Sequence, residues 1–210
     1  SPEDKLRIVG LVKDHGNVVA VTGDGINDAP ALKRADIGVA MGITGTDVAK
    51  QSAEIVLLDD SFKTLVGAVQ QGRTIFQNIK KITLVAFCAN TSELVVRLLS
   101  LIGAAFFSTP LAITVMLILA IDLIAELFPM MALGWDKAEN NLMAEKPRDP
   151  NNHILNNQTL KDIVWAGALI GGLTFANFIF FFVRRDIPPS IVENGSILHM
   201  QATSLTYVTI

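Results

Sequence analysis

Two different patterns of apolar and polar positions divide the chain. Up to Asp60 the apolar residues come in short runs separated by polar, glycine-bearing stretches. After Lys81 they come in blocks long enough to cross a bilayer. The short runs predict three strands, Val18 to Val21, Ile37 to Met41 and Glu54 to Leu58. Ahead of them, Ser1-Pro2-Glu3-Asp4 reads as a helix start, with a cap, a first-turn proline and acids at the positive dipole end. That helix should stop near His15-Gly16, where glycine accepts the left-handed conformation. Short helices are predicted around Ala31 to Ala35 and over Thr46 to Ala53, so helix and strand alternate as in a parallel sheet. Three strands are too few to bury both faces of such a sheet, which predicts a sheet-forming partner earlier in the same chain.

From Ser61, a predicted cap, the pattern is helical and free of proline until Pro110. A helix of about 45 residues is roughly 65 Å long, twice the hydrocarbon thickness of a bilayer. Its first part carries Lys63, Gln70, Gln71, Arg73, Gln77, Asn78, Lys80 and Lys81 and should stand in water as a stalk, bending at Gly67 or Gly72 if anywhere. Ile82 to Phe107 would enter the membrane. Ser108-Thr109-Pro110 predicts a tight turn and Leu111 to about Leu133 a second span. Gly134 to Lys161 is polar, and Pro147 and Pro150 bar one continuous helix there. Its basic residues Lys137, Lys146, Arg148 and Lys161 put it on the cytoplasmic side. A third span follows from about Asp162 to Val183, with Arg184 and Arg185 on the outer side against the rule. Residues 187–196 form an outer loop, and 197–210 begins a fourth apolar segment. The expected organisation is therefore an α/β part over 1–60, a stalk helix over 61–81 and an α-helical transmembrane bundle over 82–210, with spans at 82–107, 111–133 and 162–183. Residues 1–81 and 134–161 are expected in the cytoplasm, since no signal peptide precedes them.

Composition sharpens this picture at few points. Half of the residues are hydrophobic, 50%, and the mean hydropathy of +0.45 is too high for an ordinary soluble domain. A net charge of -3 with no dense Lys/Arg cluster excludes a nucleic-acid-binding surface. Cys88 is the single cysteine, so no internal disulfide forms, and the three histidines lack zinc-ligand spacing.

The densest candidate chemistry is Thr22 to Pro30, Thr-Gly-Asp-Gly-Ile-Asn-Asp-Ala-Pro. It follows a predicted strand, at the edge where ligands of open α/β sheets bind, and its glycines let backbone approach an anion or a hydrated metal. Asp28-Ala29-Pro30 reads as the cap and first turn of the next helix. Gly23-x-Gly25 lacks the third glycine of a dinucleotide fingerprint, and the acids lack calcium-loop spacing. Magnesium with a phosphoryl group fits the residue types best.

The predicted spans hold a second set of polar residues. An ionisable group in a span costs about 2.5 to 3.5 kcal/mol on insertion scales. Four are present, Glu93 and Arg97 in the first span, Asp122 and Glu126 in the second. At 100° per residue Asn90, Glu93 and Arg97 fall within about 60° on one helix face, and Asp122 and Glu126 within about 40° on theirs. Two polar stripes on adjacent antiparallel helices should meet, and carboxylates with an amide oxygen in a dry site are ligands for a hard cation. Arg97 either pairs with Glu93 or a buried carbonyl as structure, or acts as a tethered cation within the site.

The string Thr22 to Lys33, TGDGINDAPALK, resembles the hinge signature of the P-type cation-transporting ATPases. The resemblance continues through Ala40-Met41-Gly42, Asp47 to Lys50, Leu57 to Asp60 and Gly72-Arg73, and on through the spans to Lys146-Pro147-Arg148. It implies a partial haloacid-dehalogenase-like, Rossmann-like phosphorylation domain over 1–60. It also implies roles: Asp24 binds the Mg2+ that bridges to an aspartyl phosphate, Asn27 and Asp28 hold that site, and Lys5 contacts the phosphate. In the membrane, Asn90-x-x-Glu93 and Asp122-x-x-x-Glu126 before Pro129 resemble the family's transported-cation positions. Aspartate at 122 leans towards the sodium/potassium branch and away from the calcium branch. Glu126 in place of aspartate, Ala125 in place of threonine, and Arg97 depart from that pattern.

The family's DKTGT nucleophile motif and TGES loop do not occur in these residues. The resemblance thus implies the carboxyl-side part of a pump, inactive alone, whose ATP is bound mainly by other parts of the protein. Its partners would be the lipid membrane, the transported cation and the remainder of the same pump. The competing expectation is a truncated, non-catalytic membrane protein that keeps the fold.

Overall fold

The computed structural model describes residues 1–139, 141–149 and 153–209. They form two compact units, Ser1–Gly72 and Arg73–Ile210. The first contains α1 (Pro2–Asp14), β1 (Ala20–Gly23), a 3-10 turn (Ile26–Asp28), α2 (Ala29–Arg34), β2 (Ile37–Met41), α3 (Asp47–Ser52) and β3 (Ile55–Leu57). The strands are all parallel, in the order β1-β2-β3, with Ala20 opposite Ile37 and Val39 opposite Ile55.

Local chemistry sets these boundaries. Ser1 caps α1 by accepting from the Asp4 amide, and the Asp4 side chain answers in a capping box. Past α1, Gly16 takes φ +78°, open to glycine at little cost. Thr46 caps α3 by accepting from the Ala49 amide. β1 begins at Ala20, later than the valine run suggests. The Asp36 carboxylate binds the Val19 amide at 2.9 Å, so Val18 and Val19 serve as the approach to the strand, and Val18 is exposed. Val9, Val21, Ala31, Leu32, Ala35, Ala40 and Ala49 form the core.

Helix α4 (Phe62–Phe107) runs for 46 residues. At its start the Asp59 carboxylate takes the Ser61 amide and the Thr64 hydroxyl, while Ser61, the predicted cap, contributes its carbonyl to Thr64 and Leu65. Then come α5 (Val115–Ala120), a π-helical segment (Ile121–Glu126), α6 (Leu127–Gly134), α7 (Asn157–Arg184), a 3-10 turn (Pro189–Ile191) and α8 (Ile197–Thr209). Among the described residues three helical stretches are long and apolar enough to cross a membrane: Phe62–Phe107, Val115–Gly134 and Asn157–Arg184. The second starts at Val115, because Leu111 and Ala112 give their amides to Asn194 and Ser100, and Thr114 then caps the helix. The third starts at Asn157, earlier than predicted, behind an Asn156 cap. Pro150 and Ile210 lie outside the described residues.

Helix α7 packs on α4 through glycines. A Cβ on Gly167 would stand 2.6 Å from Thr91 Cβ, and one on Gly171 would stand 2.5 Å from the Ser92 carbonyl oxygen. Small residues spaced by four let two helix backbones approach closely in an apolar medium. Lower on α4, Arg73 donates to the carbonyls of Leu142 and Glu145, and Asn78 to those of Gly134 and Asp136. Lys81 pairs with Asp136 and Glu139. The polar segment after α6 is thereby strapped to the hydrophilic part of α4.

Candidate functional site

Two constellations carry chemistry, one in each unit. The first is the loop after β1. Gly23 ends the strand where a Cβ would meet Asp28 Cβ at 2.5 Å, so only glycine lets the chain fold back this tightly. Asp28 stands at the N-cap position of α2 but makes no side-chain cap, contrary to the sequence expectation. Its Oδ2 accepts from the amides of Asp24 at 3.1 Å and Gly25 at 3.2 Å, and its Oδ1 from Lys5 Nζ at 2.8 Å. Lys5 Nζ donates also to the Thr22 carbonyl at 2.9 Å. The ammonium first, then the Gly25 and Asp24 amides, hold the Asp28 carboxyl below its ordinary value against the effect of burial.

Asp28 is thus the brace of the loop, and its lone pairs are largely spent on it. Asp24 is different. Its carbonyl accepts from the Thr46 amide at 2.8 Å, while its carboxylate is exposed and makes no hydrogen bond or ion pair among the described residues. Asn27 is exposed beside it.

A neighbouring loop at the same strand edge is locked by a residue to which sequence reasoning assigned no role. Asp60 accepts from the amides of Ile43 at 3.0 Å and Thr44 at 2.8 Å, and from the Thr44 hydroxyl at 2.8 Å. The Ile43 amide, with the Thr44 groups behind it, pulls the Asp60 carboxyl down to about 2. The signal available in sequence was Gly42 and Gly45 flanking the loop. A Cβ at Gly42 would strike the Leu57 carbonyl oxygen at 2.5 Å, and one at Gly45 the Met41 carbonyl oxygen.

The second constellation lies between membrane-type helices. One carboxylate oxygen from each of Glu93, Asp122 and Glu126 falls within 4.8 Å of the others. Glu93 comes from α4 and is 2% exposed; Asp122 and Glu126 both belong to the π-helical segment. Arg97 Nη2 donates to Glu93 Oε2 at 3.2 Å. Glu93 Oε1, Glu126 Oε1 and Arg97 Nε are buried without a hydrogen-bond partner. Ionised carboxylates whose oxygens lie within 4.8 Å of one another repel. Hard, uncommitted oxygens crowded this way are a donor set for a cation. Asn90, expected on the same stripe, is exposed, and its amide nitrogen donates to the Ala86 carbonyl of its own helix at 2.8 Å.

Comparison with known proteins gives one answer at the family level. Residues 110–210 match the family model for the cation transporting ATPase C-terminus. Over 91% of its length the chain is 46% identical to a calcium-transporting ATPase of Listeria monocytogenes, covering 21% of that protein. It is 43% identical over its whole length to calcium-transporting ATPase 1 of Bacillus cereus, covering 24%. Over 93% of its length it is 41% identical to a sodium/potassium-transporting ATPase alpha-1 subunit of Oreochromis mossambicus, covering 18%. The chain therefore spans about a fifth to a quarter of the length of these relatives.

Proposed function

The chain belongs to the P-type cation-transporting ATPases and corresponds to their carboxyl-terminal part, and from that premise we propose that it supplies the cation site and half of the phosphoryl site of an ATP-driven pump. The observation that carries the reading is the convergence of Glu93, Asp122 and Glu126 with buried, unpartnered oxygens on Glu93 and Glu126. In this reading the first unit is part of a haloacid-dehalogenase-like phosphorylation domain, and 61–81 is a stalk that hands its movements to the spans. Helix α4 carries both the stalk and Glu93, which supports coupling along one element.

Magnesium fits the first loop. The Asp24 carboxylate is exposed and unshared, and Gly25 keeps the approach open, so Asp24 would hold the ion. Asp28 and Lys5 keep the loop in shape, with Asn27 at its rim. Bound there, magnesium would neutralise charge on a phosphoryl group. Lys5 offers the same group a point charge. ATP and the aspartyl phosphate would be held by chain outside these residues.

The ion is read as a monovalent cation of the sodium/potassium type, on the strength of Asp122. Calcium is the alternative, in keeping with the names of several relatives. A non-catalytic membrane protein is the reading from a different class. One experiment separates them: ATPase stimulation and phosphoenzyme formation in the full-length protein with calcium, sodium, potassium and protons in turn. Glu93→Gln, Asp122→Asn and Glu126→Gln should each raise the half-maximal cation concentration at least tenfold, about 1.4 kcal/mol. Asp24→Asn should suppress phosphoenzyme turnover and leave that concentration unchanged. Unaltered cation dependence in all three carboxylate variants would remove the membrane site, and normal turnover in Asp24→Asn the loop assignment. A protein that forms no phosphoenzyme with any cation is the non-catalytic one.

A further inference from the structure

We propose that Arg97 is a resident counter-charge of the Glu93, Asp122 and Glu126 cluster, permanently offsetting one of its three negative charges so that each cycle carries two positive charges instead of three. The proposal rests on reading that cluster as the transported-cation site.

The contact between Arg97 and Glu93 is single and leaves part of the Glu93 carboxylate uncommitted. Arg97 follows Glu93 by one turn of α4, and its Nη2 reaches Glu93 Oε2 at 3.2 Å. A guanidinium stays protonated at any physiological pH, so the charge is fixed and cannot be relieved by losing a proton. A two-pronged fork would have engaged both carboxylate oxygens. Here the contact is single. Glu93 Oε1 and Arg97 Nε are both buried without partners. The arginine therefore supplies charge while leaving Glu93 Oε1 uncommitted. Among the described residues neither Asp122 nor Glu126 pairs with a basic group, so Arg97 is the one protein cation in contact with the cluster. Three carboxylates and one guanidinium sum to two negative charges, which suits one divalent or two monovalent ions.

The test uses the full-length pump reconstituted in proteoliposomes, with charge moved per ATP measured at saturating cation. Arg97→Met should raise that charge by one elementary unit, whether the added charge arrives as a metal cation or as a proton. Arg97→Lys, which keeps the charge, should retain the wild-type value. Glu93→Gln combined with Arg97→Met restores a net charge of minus two and should return the wild-type charge per ATP at saturating cation, while its half-maximal cation concentration stays raised through the lost ligand. An unchanged or lower charge per ATP in Arg97→Met, with cation-stimulated ATPase retained, overturns the proposal. So does a double variant whose charge per ATP at saturating cation departs from wild type. If Arg97→Met alone does not assemble, the double variant decides, because it leaves neither member of the pair buried and unpaired. Failure of the underlying site reading looks different: the single carboxylate variants would then leave cation dependence untouched.

Discussion

One ammonium ties the first helix to both ends of the loop that follows β1: Lys5 Nζ lies 2.9 Å from the Thr22 carbonyl before the loop and 2.8 Å from Asp28 Oδ1 after it. The loop is thereby held from outside, and Asp24 at its tip is left uncommitted. Removing the ammonium should loosen the support without touching the tip.

Lys5→Met tests this. The pair is partly exposed, 40% on the lysine and 18% on the aspartate, so its loss should cost only about 0.5 to 1 kcal/mol. The sign with pH follows from Asp28, whose pKa is lowered in the folded state. Such a group lends stability that is present above the ordinary carboxylate pKa of about 4 and is lost as pH falls through the lowered value. Hydrogen exchange at the Asp24 and Gly25 amides should therefore quicken on acidification below about pH 4 in the wild type, and show a shallower response in Lys5→Met. Equal responses in the two proteins would mean that the ammonium does not brace the loop.

Asp60 gives a cleaner acid response. Its pKa of about 2 lies below the ordinary value, so the bonds to Ile43 and Thr44 hold above about pH 4 and weaken as pH falls towards 2. Exchange protection of those two amides should follow that window, and Asp60→Asn should flatten it. Asp60 also has φ 50°, a left-handed conformation that asparagine tolerates better than alanine. Asp60→Ala should accordingly lose more protection at neutral pH than Asp60→Asn, and the reverse order would show that the backbone strain is irrelevant.

Adjacent glycines on α7 make a matched pair. A methyl group at Gly171 meets the Ser92 carbonyl at 2.5 Å and Val95 Cβ at 2.8 Å, whereas one at Gly172 meets nothing within 4 Å. Gly171→Ala should destabilise the helix packing by about 1 to 3 kcal/mol. Gly172→Ala should be neutral or stabilise by up to about 1 kcal/mol through helix propensity. Thermal unfolding of the full chain in detergent reads both, and equal shifts would contradict the close approach of α4 and α7.

What could be read from sequence follows the range of the forces involved. The strand Ile37–Met41, the Ser1 cap and the uninterrupted helix to Phe107 depend on neighbours within a few residues, and periodicity and cap chemistry reached them. The onset of β1 depended on a carboxylate seventeen positions away, Asp36, and the sequence read it too early. Asp28 looked like a cap because its local pattern is that of one. Its Oδ2 instead reaches back to the Asp24 and Gly25 amides, and the partner of its Oδ1, Lys5, is twenty-three residues distant. In the membrane-type helices the stripe argument gathered Glu93, Asp122 and Glu126 from angular spacing alone. It also gathered Asn90, because angle ignores a side chain that folds back on its own carbonyl ladder. The Gly167 and Gly171 contact was visible as a four-residue spacing of glycines and went unread, since nothing local marks which face meets another helix.

The π-helical segment Ile121–Glu126 has a consequence for phase. Each of its hydrogen-bonded loops encloses one more residue than an α-helical loop does. The extra residue offsets α6 from the line α5 would have continued, by up to the angular step of one residue, about 100°. Asp122 and Glu126 bracket the offset. If the segment tightened to α-helix, the two carboxylates would turn relative to each other, and Leu127 to Gly134 would rotate as a body about the helix axis. The wide turn is thus a slipped thread in an otherwise regular screw, set between the two carboxylates of that helix.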